Sequence, residues 1–142
     1  MTQVDFYILK NSPDNNLALL VCKLVDKAYQ RGHKVYVNTV SAEQSQQIDD
    51  LLWSFREGSF IPHGQLPAED PQTPVLIGHE LEPPLECDVL VNLAKEVPLF
   101  FSRFPRVAEI VGSEETQKQQ ARERFRFYRD RGYTLNSHDI TL

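Results

Sequence analysis

Glycine is scarce in this chain: six residues in 142, none of them clustered. Neither G-x-G-x-x-G nor G-x-x-x-x-G-K-[ST] can be written along it, so the two commonest phosphate cradles are excluded. Cysteine is scarcer still. Cys22 and Cys87 stand alone in apolar surroundings, and two buried, reduced thiols are expected rather than a disulfide. The four histidines (His33, His63, His79 and His138) are scattered, with no H-E-x-x-H and no paired cysteines to complete a metal set. No apolar run approaches the ~20 residues a bilayer crossing needs, and the N-terminus lacks the basic and apolar regions of a secretory signal. The acidic pairs Asp49-Asp50 and Glu114-Glu115 point ~100° apart if helical, which reads as exposed helix surface rather than a general acid and base. The expectation from these absences is a cytoplasmic, membrane-free protein with no cofactor, no metal and no catalytic site.

The length is right for one domain over residues 1–142, with a core of its own. Val4–Lys10 has the β-branched and aromatic content of a strand, and 11–15 reads as a turn. A helix follows to Arg31, with Leu17, Leu20, Val21, Leu24, Val25 and Ala28 on one face and Gly32 ending it. Lys34–Val40 is a second strand. Ser41 with Gln44 forms a capping box that opens a helix to about Arg56. Beyond it come a short extended piece ending at His63, a polar loop over Gly64–Pro74, and apolar strands at Val75–Gly78 and Cys87–Leu93. Pro98–Phe104 is a short helix or turn, and Arg106–Val111 a last strand. Ser113 is expected to cap the final helix, and the residues after Gly132 to form a short tail that packs back on the domain. Strands alternating with helices predict an α/β fold, a mostly parallel sheet with helices on both faces.

Charge is distributed unevenly. The net charge is −5, yet the stretch Lys118–Arg131 holds six of the fifteen basic residues against Glu123 and Asp130, leaving −9 on the remainder. On a helix, Lys118, Arg122, Arg126 and Arg129 fall within about an 80° stripe, beside a second stripe of Ala121, Phe125 and Tyr128. Cations along an aromatic edge suit a ligand that is both anionic and apolar. The plainer alternative is a solvated amphipathic helix whose aromatic residues are core. A second feature is Trp53, the single tryptophan. With Ile48 set at 0°, Leu51, Leu52 and Phe55 lie within about 60° of it, whereas Trp53 lies near 140°. Phe60 follows seven residues later. Trp53 and Phe60 read as anchors of a protein interface, or else Trp53 packs beneath the loop from Gly58 to Pro74.

Three segments carry a family likeness: Phe6-Tyr7-Ile8-Leu9; Leu52-Trp53 with Ser59-Phe60-Ile61-Pro62-His63; and the stretch Lys118–Arg129 with Gly132-Tyr-Thr-Leu-Asn136. In their order and spacing the chain resembles the chi subunits of bacterial DNA polymerase III holoenzyme over nearly its whole length. The resemblance implies a Rossmann-like α/β domain and a non-catalytic accessory subunit of the clamp-loader assembly. It implies two protein partners, the psi subunit and the acidic, phenylalanine-ended C-terminal tail of single-stranded DNA-binding protein. By position Lys118, Arg122, Phe125 and Arg126 match the tail-binding helix. Trp53 and Phe60 match the aromatic surface used towards psi or a competing helicase-like repair protein. Phe125 stands where a tyrosine is common and Arg126 where a lysine is common. The rivals are a direct single-stranded DNA-binding module, against which stand the net charge and the absence of a second basic surface, and a small nucleotide-handling enzyme.

Overall fold

A computed structural model describes residues 1–10, 15–68, 70–84 and 86–142. In chain order the elements are β1 (Gln3–Leu9), α1 (Asn15–Gln30), β2 (Val35–Asn38), α2 (Ala42–Ser54), β3 (His63–Gln65), β4 (Val75–Gly78), β5 (Val89–Asn92), a 3-10 turn (Phe101–Arg103), β6 (Arg106–Val111), α3 (Glu115–Asp130) and β7 (Thr134–Ile140). The turn expected over 11–15 lies outside the described residues apart from residue 15, which opens α1. The strands form one seven-stranded sheet in the order β3-β4-β2-β5-β6-β1-β7. Each strand pair described is parallel, where a mostly parallel sheet was expected.

Two apolar layers cover the sheet, as a parallel sheet requires. On one face α1 and α2 press Val21, Val25, Ile48 and Leu52 onto Val35, Val37, Val91 and Ile110. On the other, α3 and the 3-10 turn bring Ala121, Tyr128, Phe101 and Phe104 onto Val4, Phe6, Leu90 and Val107. Strand alternation explains the split: in β1, Val4 and Phe6 face α3, whereas Leu9 faces α1.

The expectations err at several places. The N-cap of α3 is Glu114, not Ser113. Its carboxylate accepts from the Gln117 amide N–H, and the Gln117 side chain reaches back to the Glu114 N–H at 3.4 Å. A carboxylate does this work as well as a hydroxyl and also meets the positive end of the helix dipole. The residues after Gly132 pack back, but as a full strand rather than a short tail: β7 pairs with the whole of β1. The loop expected over Gly64–Pro74 begins as the end of β3, on the opposite sheet edge. Cys87 is only half buried, while Cys22 is fully buried and its thiol is pushed up to about 12 by burial. Both are free thiols. Ser41 does cap α2, its hydroxyl accepting from the Gln44 N–H at 3.1 Å, but the Gln44 side chain accepts from the Val40 N–H at 2.9 Å rather than closing the expected box on Ser41.

Candidate functional site

The first site is built on α3. Ala121, buried against the sheet, and Phe125, half buried, hold the helix to β1, with the Phe125 and Phe6 rings 5.4 Å apart. Beside them opens a pocket of about 310 Å³. Its apolar floor is Phe6, Ile8, Val111, Ala121 and Phe125, and its cationic wall is Lys118 and Arg122 from α3 with Lys10 from the end of β1. Ser137 of β7 closes the far side. Lys118 and Arg122 are one helical turn apart and meet on one face for that reason. Arg122 lies 3.5 Å from Glu115, both exposed, a pair worth at most ~1 kcal/mol and readily exchanged for another carboxylate. Three of the four residues read from sequence thus line one pocket. Arg126 does not; it is exposed and paired with Glu123 at 3.2 Å. Nor does Tyr128, which is core.

The second site is aromatic and lies at the other edge of the sheet. Trp53 is 58% exposed and Phe60 82% exposed, so the helical-wheel placement of Trp53 away from the core holds. One face of Trp53 nevertheless rests on His63, ring centroids 4.3 Å apart. The His63 side chain is fully buried, with Nδ1 2.6 Å from the Ile61 carbonyl oxygen and Nε2 2.9 Å from that of Asp49. Those two contacts lock the ring on which the indole lies. His63 is therefore a supporting residue of this surface, a role sequence reading did not assign.

Open α/β sheets hold nucleotides at the carboxyl ends of their strands, and just after β6 the protein places its own side chains at the helix start that would serve this. The Glu114 carboxylate sits at the α3 N-terminus, where a bound phosphate would otherwise interact with the helix. A Cβ on Gly112 would fall on the Gln117 side chain, which packs over that turn. Among the described residues no three of His, Cys, Asp and Glu converge as a metal set, and no helix is long and apolar enough to cross a membrane.

Comparison with known proteins adds the family. Residues 1–136 match the family described as DNA polymerase III chi subunit, HolC. The chain belongs to the DNA polymerase III chi-subunit family. The Pseudomonas aeruginosa DNA polymerase III subunit chi is 41% identical over 140 residues, covering 99% of this chain and 98% of that protein. The Escherichia coli chi subunit is 30% identical over 144 residues, covering 96% and 97%. The protein is thus a replication accessory subunit rather than the catalytic subunit. Among solved structures, T4 UvsW superposes with a TM-score of 0.70 at 8% identity, over 99% of this chain and 41% of that one, a likeness of fold alone.

Two features of this chi-family chain escaped the sequence reading. Arg124, counted among the six cations, is 5% exposed and buried against Glu109, with Nε donating to Oε1 at 2.9 Å. Glu109, fully buried, also accepts from Asn92 and from the Tyr128 hydroxyl at 2.6 Å. Burial pushes its carboxyl above the ordinary value, opposed by Arg124 and by the hydrogen bonds. A signal was present: one glutamate inside the apolar run 106–111, and one arginine at i+3 from Ala121 and i−4 from Tyr128. The second feature is a small cationic cluster. Lys27 of α1, Arg31 in the turn just after it and Arg106 of β6 converge with His33 around a hollow of about 110 Å³. Arg106 is held by buried Asp5 at 3.3 Å. A second basic surface therefore exists, which sequence order hid because its members are up to 79 positions apart.

Proposed function

We propose that this chain acts as one non-catalytic, cytoplasmic domain that links the clamp-loader assembly to coated single-stranded DNA. It does so by binding the psi subunit through Trp53 and Phe60, and the acidic C-terminal tail of single-stranded DNA-binding protein through α3. The observation that carries this reading is the pocket beside Phe125, an apolar floor under Lys118 and Arg122. A terminal aromatic side chain suits the floor. The terminal carboxylate suits Arg122, which can offer two parallel N–H donors. Arg126 and Arg129 lie along the approach and steer acidic residues in, which makes binding fast and salt-sensitive. Phe125 lacks the hydroxyl of a tyrosine, so its contribution is apolar contact. So small a contact predicts an affinity in the micromolar range. The aromatic surface also suits a helicase-like repair protein that would compete with psi.

Direct binding of single-stranded DNA is the second reading, favoured by the cluster of Lys27, Arg31 and Arg106. Calorimetric titration with an acidic phenylalanine-ended peptide, bare oligonucleotide and ATP separates the readings. The connector role requires saturable binding of the peptide, weak binding of the oligonucleotide at ~150 mM salt, and no heat with ATP. Tight oligonucleotide binding at that salt would select the rival.

A further inference from the structure

Among the described residues, seven large hydrophobic side chains are exposed. Met1 and Leu142 are terminal, and Trp53 and Phe60 form the aromatic surface. The remaining three, Val40, Leu81 and Leu99, come from three separate loops yet line one trough of about 720 Å³. It runs across the carboxyl ends of β2, β4 and β5, away from both sites described above. Leu99 is 99% exposed at its lip. A leucine so placed covers nothing within its own chain.

The trough is built from beneath. Tyr36, fully buried, sends its hydroxyl up to the Leu81 carbonyl oxygen at 2.7 Å and so fixes the wall that carries Leu81. Position 78 must be glycine for this, because a Cβ there would collide with the Tyr36 ring and hydroxyl. Phe100 stands edge-on to Tyr36 at 5.8 Å and forms part of the apolar floor. Over Lys95–Val97 the trough runs into a second hollow of about 660 Å³ against α3.

The rim is acidic. Glu80, Glu82 and Glu96 surround it against the single ammonium of Lys95. Glu82 pairs with Arg103 at 3.2 Å, but both are solvated, so the pair exchanges easily. An acidic tail of the kind that suits α3 is repelled here. We propose that this trough is a third docking surface, taking a basic peptide segment with aliphatic side chains from a partner protein. The cations of that segment meet the rim, and its aliphatic groups cover Val40, Leu81 and Leu99. The α3 stripe and the trough then select partners of opposite charge.

The test is NMR titration of the full chain with a short leucine–lysine amphipathic peptide, with leucine–glutamate and serine–lysine versions as controls. The leucine–lysine peptide is expected to saturate, to shift the amides of Val40, Leu81 and Leu99, and to leave those of Arg122 and Trp53 in place. Leu99→Ser and Glu80→Lys, both at exposed side chains that leave the core intact, are each expected to weaken it about tenfold or more. Equal binding of the serine–lysine control would overturn the proposal, as would unchanged affinity of Leu99→Ser. So would self-association of the free chain that Leu99→Ser abolishes, since the occupant would then be a second copy.

Discussion

The Glu109 carboxylate takes hydrogen bonds from Arg124, Asn92 and Tyr128 out of reach of water. Removing the cation leaves a buried charge without its partner, so Arg124→Met is expected to cost about 3–5 kcal/mol in urea denaturation. A loss below ~1 kcal/mol would mean that the pair is not coupled as described. The proton balance has a sign. Burial holds the Glu109 carboxyl above its ordinary 4.5, so the folded chain keeps this proton more tightly than the unfolded one. Its contribution to stability is then complete below 4.5 and is lost as pH rises through the raised value. Glu109→Gln should remove that part of the slope, and a wild-type slope in the variant would contradict the assignment. Arg124 also sets a limit on charge counting: five cations of α3 and its C-cap are exposed or half-exposed, while the sixth is already neutralised.

At the scale of elements, α3 carries two jobs on two stripes. Ala121, Arg124 and Tyr128 tie it to the sheet, while Lys118, Arg122 and Phe125 flank the pocket. Its start depends on the reciprocal Glu114–Gln117 cap, and Gln117 lies where a Cβ on Gly112 would be. Gly112→Ala should displace the glutamine and cost about 0.5–2 kcal/mol, read as a lowered melting temperature. What the sequence made legible follows the strength of periodicity. β4 and β6 were apolar runs with the observed bounds, and the α1 face was written at i, i+3, i+4 and i+7. β7 was not legible, because Thr-Leu-Asn-Ser-His-Asp-Ile is a polar edge strand held by β1 pairing and by the His138 contact with Asp5 at 3.0 Å. β3 has three residues, too few for any period. The cationic stripe and the exposed Trp53 were legible since both are local to one helix. The buried Glu109 cluster, the His63 support and the Lys27–Arg31–Arg106 cluster join distant segments, and only the folded sheet brings them together.

On the scale of the whole molecule, the aromatic surface and the α3 pocket stand at opposite edges of the sheet and on opposite faces. Trp53 rests on β3, and the pocket is closed by β7. Six strand spacings of about 4.8 Å put these edges roughly 29 Å apart, beyond the Debye length of ~8 Å at physiological salt. Energies at such separations add. Trp53→Ala is therefore expected to fold, to lose ~2 kcal/mol or more towards psi, and to keep its affinity for an acidic tail peptide within ~0.5 kcal/mol. Equal loss towards both partners would contradict two independent surfaces. The most direct test of the central claim is calorimetry of an acidic, phenylalanine-ended peptide against wild type and Arg122→Ala, with circular dichroism to confirm the fold. The account predicts a loss of roughly 1.5–3 kcal/mol, about 10- to 150-fold in affinity, from an intact protein. Unchanged affinity in a folded Arg122→Ala variant would contradict it.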